Sequence, residues 1–543
     1  MKNISKLFLC AGLLFLNTGC ETDDFLDKVN PNALNADSFW KDADQVGQGL
    51  IATYAALQFQ GVMGATATTE LPVRSDLGRP NNWNANARSL NTLTFNDNTG
   101  VVKQKWDSAY EGVYRANQVL EHLGVIQDVE QRQTVEAQAR FLRGFFYYIL
   151  YQGYNGGSVI LHTSTPKVKE DFSKSPAPKE DVFQLILEDF EYAEAHLPKT
   201  WNANNVGRAT WGAASAMLGK LWINEGEYEK AKGYFKAVID RPDLYSLTPD
   251  IGWNFDEEHE FNAESIFEVP FSATAKSGNI YGANDGPIGS EGTNRNYTLG
   301  STTGGGFRVI MPSYWVTMLF KEDPMDPTDP RYEADDVYSL RTSASIAIAN
   351  DLGSTLYQKP SDKGGEYNNR EASYLKKYQN WKMEREPLTM NSGINERVIR
   401  LAEVYLLYAE TLLQTGGSVS EALALVNQIR DRAGVVELEA AAYDATALME
   451  HIMWVEQPLE LMFEGHDLRW ESLRRWGKIK EQYSRLAAMK FTLDGQNIRW
   501  YQPGDEGKFF VVQEFVEAAQ DYNPALHDYF PIPVTEQLTN PNL

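Results

Sequence analysis

The residues best placed to do chemistry lie in one polar loop. Residues 74–88 read Arg-Ser-Asp-Leu-Gly-Arg-Pro-Asn-Asn-Trp-Asn-Ala-Asn-Ala-Arg, so Trp83 stands among Arg74, Asp76, Arg79, Asn81, Asn82, Asn84 and Asn86. An indole stacks on the C–H face of a sugar ring, while amides, carboxylates and guanidinium groups hydrogen-bond its hydroxyls. A Trp folded back as a plug for its own loop would look the same in sequence. A second set, Tyr281, Asn284, Asp285, Asn294, Arg295 and Tyr297, has the same composition, and Trp381 lies in a third polar stretch. The candidate ligand-binding residues are Trp83, Arg74, Asp76, Asn81, Tyr281, Asn284, Arg295 and Trp381.

Other chemistry is not singled out. The seven His, at 122, 162, 196, 259, 451, 466 and 527, form no HExxH pair, and no GxSxG, Walker or dinucleotide fingerprint occurs. Gly304-Gly305-Gly306 follows a Ser/Thr run and reads as a flexible turn rather than a phosphate cradle. The run from Asp323 to Arg331 lacks the Gly and closing Glu of a calcium loop and repeats Pro, so it reads as a solvated turn. Two Cys exclude a disulfide framework and a Cys-based zinc site. The expectation is therefore no cofactor, no metal and no enzyme, although 74 Asp and Glu leave a glycosidase pair open. The formal charge of −24 repels polyanions and argues against a nucleic-acid partner.

The elements that must position these residues are mostly helical. Candidate helices begin at Phe39-Trp40 behind Ser38 as N-cap and run over 104–123, 134–152 and 181–196. The 134–152 segment is apolar nearly all round and should be buried. Residues 209–240 form two helices about the turn Asn224-Glu225-Gly226-Glu227, and Leu218, Gly219, Trp222, Ala231, Phe235 and Val238 match a TPR helix pair. Gly219 and Ala231 are small where the helices cross. Residues 397–433 repeat the plan with a turn at Gly416-Gly417, and a last long helix is expected over 448–476. Trp106, Trp211, Trp222, Trp454, Trp470 and Trp476 sit at helical spacing, so they belong to core and seams. Residues 243–395 carry only short signals and read as an irregular region on the scaffold, where recognition residues usually sit.

The N-terminus resembles a bacterial lipoprotein signal. Lys2 and Lys6 precede an apolar run, Leu7 to Leu16, too short to span a bilayer, and Thr18-Gly19 precede Cys20. Asn17 stands where Leu is usual. Residues 1–19 are thus expected to be removed, Cys10 with them, and Cys20 to carry acyl chains that anchor the protein. Loss of Lys2 and Lys6 takes the formal charge from −24 to −26. Glu21-Thr22-Asp23-Asp24 is similar to the signal that exports Bacteroidetes lipoproteins to the outer face of the outer membrane.

Further blocks resemble the SusD/RagB-like family of Bacteroidetes outer-membrane lipoproteins. They include Phe25-Leu26-Asp27, Glu136-Ala137 with Ala139 to Gly144, Gly207-Arg208-Ala209-Thr210 and Asp329-Pro330-Arg331. The most specific are Arg400 to Glu410, Asn427 to Gly434, Glu460 to His466, Leu473 to Gly477 and Tyr529 to Pro533. The segment His466 to Trp470 is two residues longer than usual, and the chain ends at Leu543 without the usual tail. The resemblance implies a mostly α fold: four TPR-like helix-turn-helix pairs, at about 40–240 and 397–476, carrying the loop-rich face at 243–395 in one unit from 20 to 543. It implies a non-catalytic cell-surface receptor that captures oligo- or polysaccharide and passes it to a SusC-like TonB-dependent outer-membrane transporter. A peptide receptor on the same fold is the alternative, and a glycoside hydrolase the third reading.

Overall fold

The computed structural model describes residues 39–275, 291–333, 337–465 and 467–543. The leader, Cys10, Cys20, Ser38, Tyr281, Asn284 and Asp285 lie outside the described residues.

Side-chain caps and apolar stripes set the helices. Helix α1 spans Ala43–Ala55, not from Phe39, because the Asp42 carboxylate accepts the Gln45 N–H at 2.9 Å and fixes the start there. A short α2, Ala85–Asn91, is opened by Asn84 in the same way. Then come α3, Gly100–Glu121, and α4, Val129–Gly153, the second capped by Asp128. From Ala137 onward every residue of α4 except Arg140 is buried, as its apolar character requires. Arg140 stays partly exposed and pairs with Glu136 one turn back, at 2.8 Å. They are followed by α5, Lys179–His196, α6, Trp211–Asn224, and α7, Tyr228–Ile239. After the irregular region the helices resume as α8, Leu401–Gln414, and α9, Val419–Ala433.

Each helix packs on the next: α3 on α4, α4 on α5, α5 on α6 and α6 on α7. The stack then continues from α7 directly onto α8, and α8 packs on α9. The TPR-like pairs thus form one mostly α scaffold although about 160 residues separate α7 from α8 in the chain. The crossing of α6 and α7 is close: a Cβ on Gly219 would lie 2.4 Å from the Phe235 ring. Trp106 and Trp470 are buried, and Trp222, Trp454 and Trp476 pack half-buried against the same core.

The irregular region is tied at its base by two short ladders. Taking β1 as Gly78–Pro80, β2 as Ser265–Val269, β3 as Ile310–Pro312 and β4 as Glu396–Arg400, β2 pairs antiparallel with β4 and β1 with β3. The β2–β4 ladder brings the chain leaving the helices against the chain returning to them. The β1–β3 ladder fastens the Trp83 loop to the irregular region.

The helix expected over 448–476 is broken. Ala445–His451 (α10) runs through a wide turn at Ile452–Glu456 and one further turn at Gln457–Glu460, and the helix resumes only as α11, Leu468–Arg475. Between them Phe463, Gly465 and Asp467 have φ of +54°, +62° and +62°, which no helix accepts. The break swings acidic side chains inward. Arg400 meets Glu264, Glu460 and Glu464; Arg432 meets Glu264 and Glu460; Lys377 meets Glu464. All are buried. Burial alone would raise the Glu264 carboxyl, but Arg432 and Arg400 outweigh it and hold it well below the usual carboxylate range. Asp323, expected in a solvated turn, is instead buried and clasps Arg341 at 2.8 and 2.9 Å. Among the described residues no helix is long and apolar enough to cross a membrane.

Candidate functional site

The Trp83 loop is built from both ends. Residues Leu71–Arg74 form a tight turn that delivers Arg74 and Asp76 into the protein. The Arg74 guanidinium pairs with Asp467 and lies between the rings of Trp470, at 4.4 Å, and Phe530, at 4.1 Å. Asp76 accepts from Arg469 Nε and Nη2 at 2.9 and 2.8 Å and from Gln482 at 2.6 Å. Both residues are buried, so they are fasteners of the loop and not ligand contacts. Next, β1 registers on β3, and the Asn81 N–H donates to the Val309 carbonyl at 2.7 Å. Asn81 therefore anchors the loop through its backbone. Beyond it Asn84 caps α2, and between the two anchors Trp83 projects outward, 58% exposed.

Trp83 stands on the wall of a cleft of about 530 Å³. Also lining it are Gln60 and Glu70 from the segment after α1, Asn294 and Thr298 at the short helix Arg295–Leu299, and Phe307 just before β3. The strand register explains the meeting: pairing of β1 with β3 brings residues 307–309 beside the loop. Asn84 Nδ2 donates to Glu70 Oε1 at 3.2 Å, while Glu70 Oε2 and Asn294 Oδ1 are buried without a hydrogen-bond partner. Burial pushes the Glu70 carboxyl up, and the amides of Asn84 and Asn86 beside it pull it partly back. The cleft thus combines an exposed indole, a half-buried Phe307 ring and oxygen acceptors that lack donors.

The other candidates are dispersed. Arg295 is buried, pairs with Glu396, donates to the Thr68 and Phe463 carbonyls at 3.1 and 2.6 Å, and lies 3.5 Å from the Tyr378 ring centre. It holds the short helix in place, and its neighbour Asn294 is the residue that faces the cleft. Trp381 is half-buried against a smaller apolar cluster with Tyr357 and Tyr367, with the Lys376 ammonium 3.8 Å from its ring centre. It does not line the Trp83 cleft. The structure adds Gln60, Glu70 and Phe307, which sequence alone does not mark. Nothing in Thr66-Ala-Thr-Thr-Glu70 points to a site before the strands assemble.

Two other features bear on ligands. A cleft of about 750 Å³ lies along α3, with Tyr110, Tyr114 and Phe172 on its walls, but Asn117 there is already engaged by Arg143 and the His162 carbonyl. Among the described residues Asp256, Glu258 and His259 bring metal-type ligand atoms within 4.8 Å of one another. Asp256 there already meets His259 at 2.9 Å and Lys382 at 3.2 Å.

Comparison with known proteins places this architecture. Residues 263–543 match the model of the SusD family, and residues 24–223 match a model described as starch-binding associating with outer membrane. SusD-like protein P2 of Formosa agariphila is 26% identical over 484 residues, covering 85% of this chain and 89% of that one. A SusD superfamily protein from Bacteroides vulgatus superposes with a TM-score of 0.74 at 23% identity, over 93% of this chain and 98% of that one. A laminarin-binding SusD-like protein does so with a TM-score of 0.68 at 23% identity, over 92% and 98%. With the helix stack, the buried signature residues and the family match all in agreement, the chain belongs to the SusD family.

Proposed function

We propose that this chain is a cell-surface glycan-binding lipoprotein that captures an oligo- or polysaccharide in the Trp83 cleft and delivers it to a SusC-like TonB-dependent transporter. One observation carries the ligand side: an exposed indole shares a cleft with buried oxygen acceptors that have no donor. Sugar rings supply both an apolar face for the indole and hydroxyl donors for the oxygens. The family model's description and the laminarin-binding relative support the same ligand class. Acylation of Cys20 would hold the protein at the outer membrane, with the body facing outward. The site binds without bond cleavage in this reading, since its polar groups are arranged as acceptors around a platform rather than as an acid and base flanking a bond.

The test is a glycan-panel binding screen with the full chain and Trp83→Ala. Binding to at least one glycan, lost in the variant while the thermal midpoint stays within a few degrees, is the expected result. Unchanged affinity in Trp83→Ala would remove this cleft from the function. Binding to protein digests but to no glycan would overturn the ligand class, and release of reducing ends by the purified protein would overturn the receptor reading.

A further inference from the structure

The Trp83 cleft offers acceptors without cations. Glu70 Oε2 and Asn294 Oδ1 are both buried and unpartnered, and Asn294 is only 7% exposed. The Asn84 amide reaches Glu70 Oε1, and the Asn86 amide near the same carboxyl leaves Oε2 with no hydrogen bond of normal geometry. A buried acceptor without a donor is destabilising until something supplies a hydrogen.

The positive side chains nearby make their contacts outside the cleft. Arg74 is locked on Asp467. Arg79 lies 4.3 Å from the Tyr314 ring centre and donates to the Pro312 carbonyl at 3.2 Å. Arg88 donates to the Asn82 carbonyl at 3.2 Å. Arg295 is held by Glu396, and Arg308, between two cleft residues, turns to Glu366 at 4.0 Å while its Nε stays unpartnered. None of these, and no Lys, lines the cleft among the described residues. An anionic sugar brought here meets the Glu70 carboxylate with no counter-charge, in a chain whose formal charge is already −24. A neutral sugar meets the same groups with O–H donors, and a hydrogen bond to a carboxylate is among the stronger kinds.

We propose that the cleft selects neutral glycans and rejects uronate- and sulfate-bearing ones, with Glu70 and Asn294 as the specificity-determining residues. This rests on the glycan-binding reading above and extends it to a ligand charge class.

The experiment uses the full chain purified in detergent, with neutral glucans, mannans, xylans and galactans each paired with its own carboxymethylated or sulfated derivative. Affinities are measured by calorimetry for the wild type, Glu70→Gln, Asn294→Ala and Trp83→Ala, with thermal midpoints as the folding control. The expected result is Trp83-dependent binding of a neutral polymer and at least about tenfold weaker binding of its anionic partner, the scale of one misplaced like charge. Glu70→Gln should narrow that ratio by removing the charge, and Asn294→Ala should weaken the neutral polymer. A Trp83-dependent anionic ligand that binds more tightly than its neutral partner overturns the charge class and leaves the glycan reading standing. So does a ratio unchanged in Glu70→Gln. Absence of Trp83-dependent binding to every polymer overturns the glycan reading and this proposal together.

Discussion

Arg74 and Asp76 show how far a polar residue's role depends on what it meets. In the chain they belong to the same polar loop as Trp83, and by type they suit a sugar. In the fold each is paired with a residue 393 positions away, Arg74 with Asp467 and Asp76 with Arg469. No local pattern announces a partner at that distance. Arg74→Met should therefore lower unfolding free energy by about 3–5 kcal/mol, the cost of stranding a buried charge, while the folded fraction keeps its glycan affinity. Urea unfolding combined with calorimetry checks both halves, and it is the reverse of what Trp83→Ala should do. Glu514 gives a pH signature of its own. Burial pushes its carboxyl up to about 7, against the opposing pull of Arg79 and of the Tyr314 N–H. Between the ordinary value of 4.5 and about 7 the folded state holds a proton that the unfolded state has released. Its contribution to stability is thus present below that window and is lost as pH rises through it. In Glu514→Gln the urea midpoint should depend less on pH between about 5 and 7 than in the wild type, and an equal dependence would assign the slope to other groups.

Helices are legible where pattern and cap agree. The α6–α7 pair can be drawn from Leu218, Gly219, Ala231 and Phe235 because a helix crossing needs small residues opposite large ones, and the structure places a Gly219 Cβ 2.4 Å from Phe235. Gly219→Ala should accordingly destabilise by about 1–3 kcal/mol through overpacking, despite the better helix propensity of Ala. A chemical-denaturation midpoint at or above wild type would show that the seam can relax. The segment 448–476 is not legible in the same way. Its apolar periodicity continues past Leu461, but Glu460 and Glu464 must reach Arg400, and the helix ends at Glu460, with positive φ at Phe463 and Gly465 turning the chain beyond it. Periodicity records which face is buried and is silent on a buried ion pair that bends the axis.

At the scale of the molecule, the continuity of the stack from α7 to α8 bears on how it unfolds. The irregular region is an excursion closed by the β2–β4 ladder, and one apolar cluster runs from Val46 in the first helix to Phe530 near the end of the chain. The proposed single unit from residue 20 to 543 should then unfold in one cooperative transition, with tryptophan fluorescence and far-ultraviolet circular dichroism coinciding. Two separated transitions would divide the chain into independent parts.

The sequence by itself determined the family scaffold: helix pairs, their small-residue crossing, and the signature blocks whose Arg and Glu residues form the buried lattice. The helix pairs and their crossing follow from periods of a few residues, which a linear reading contains, whereas the signature blocks are legible through their resemblance to the family. It also marked Trp83, because an aromatic without apolar neighbours is conspicuous locally. Only the tertiary structure decided which polar residues stand with it. Arg74, Asp76 and Arg295 were drawn into buried pairs by partners far along the chain; the pairing of β1 with β3 brought Phe307 to the indole, the Asn84 hydrogen bond fixed Glu70 beside it, and packing of the short helix Arg295–Leu299 on the Thr66–Glu70 turn brought Asn294. A binding cleft is a coincidence of distant segments in space, and the charge it presents is what remains after the scaffold has taken its ion pairs.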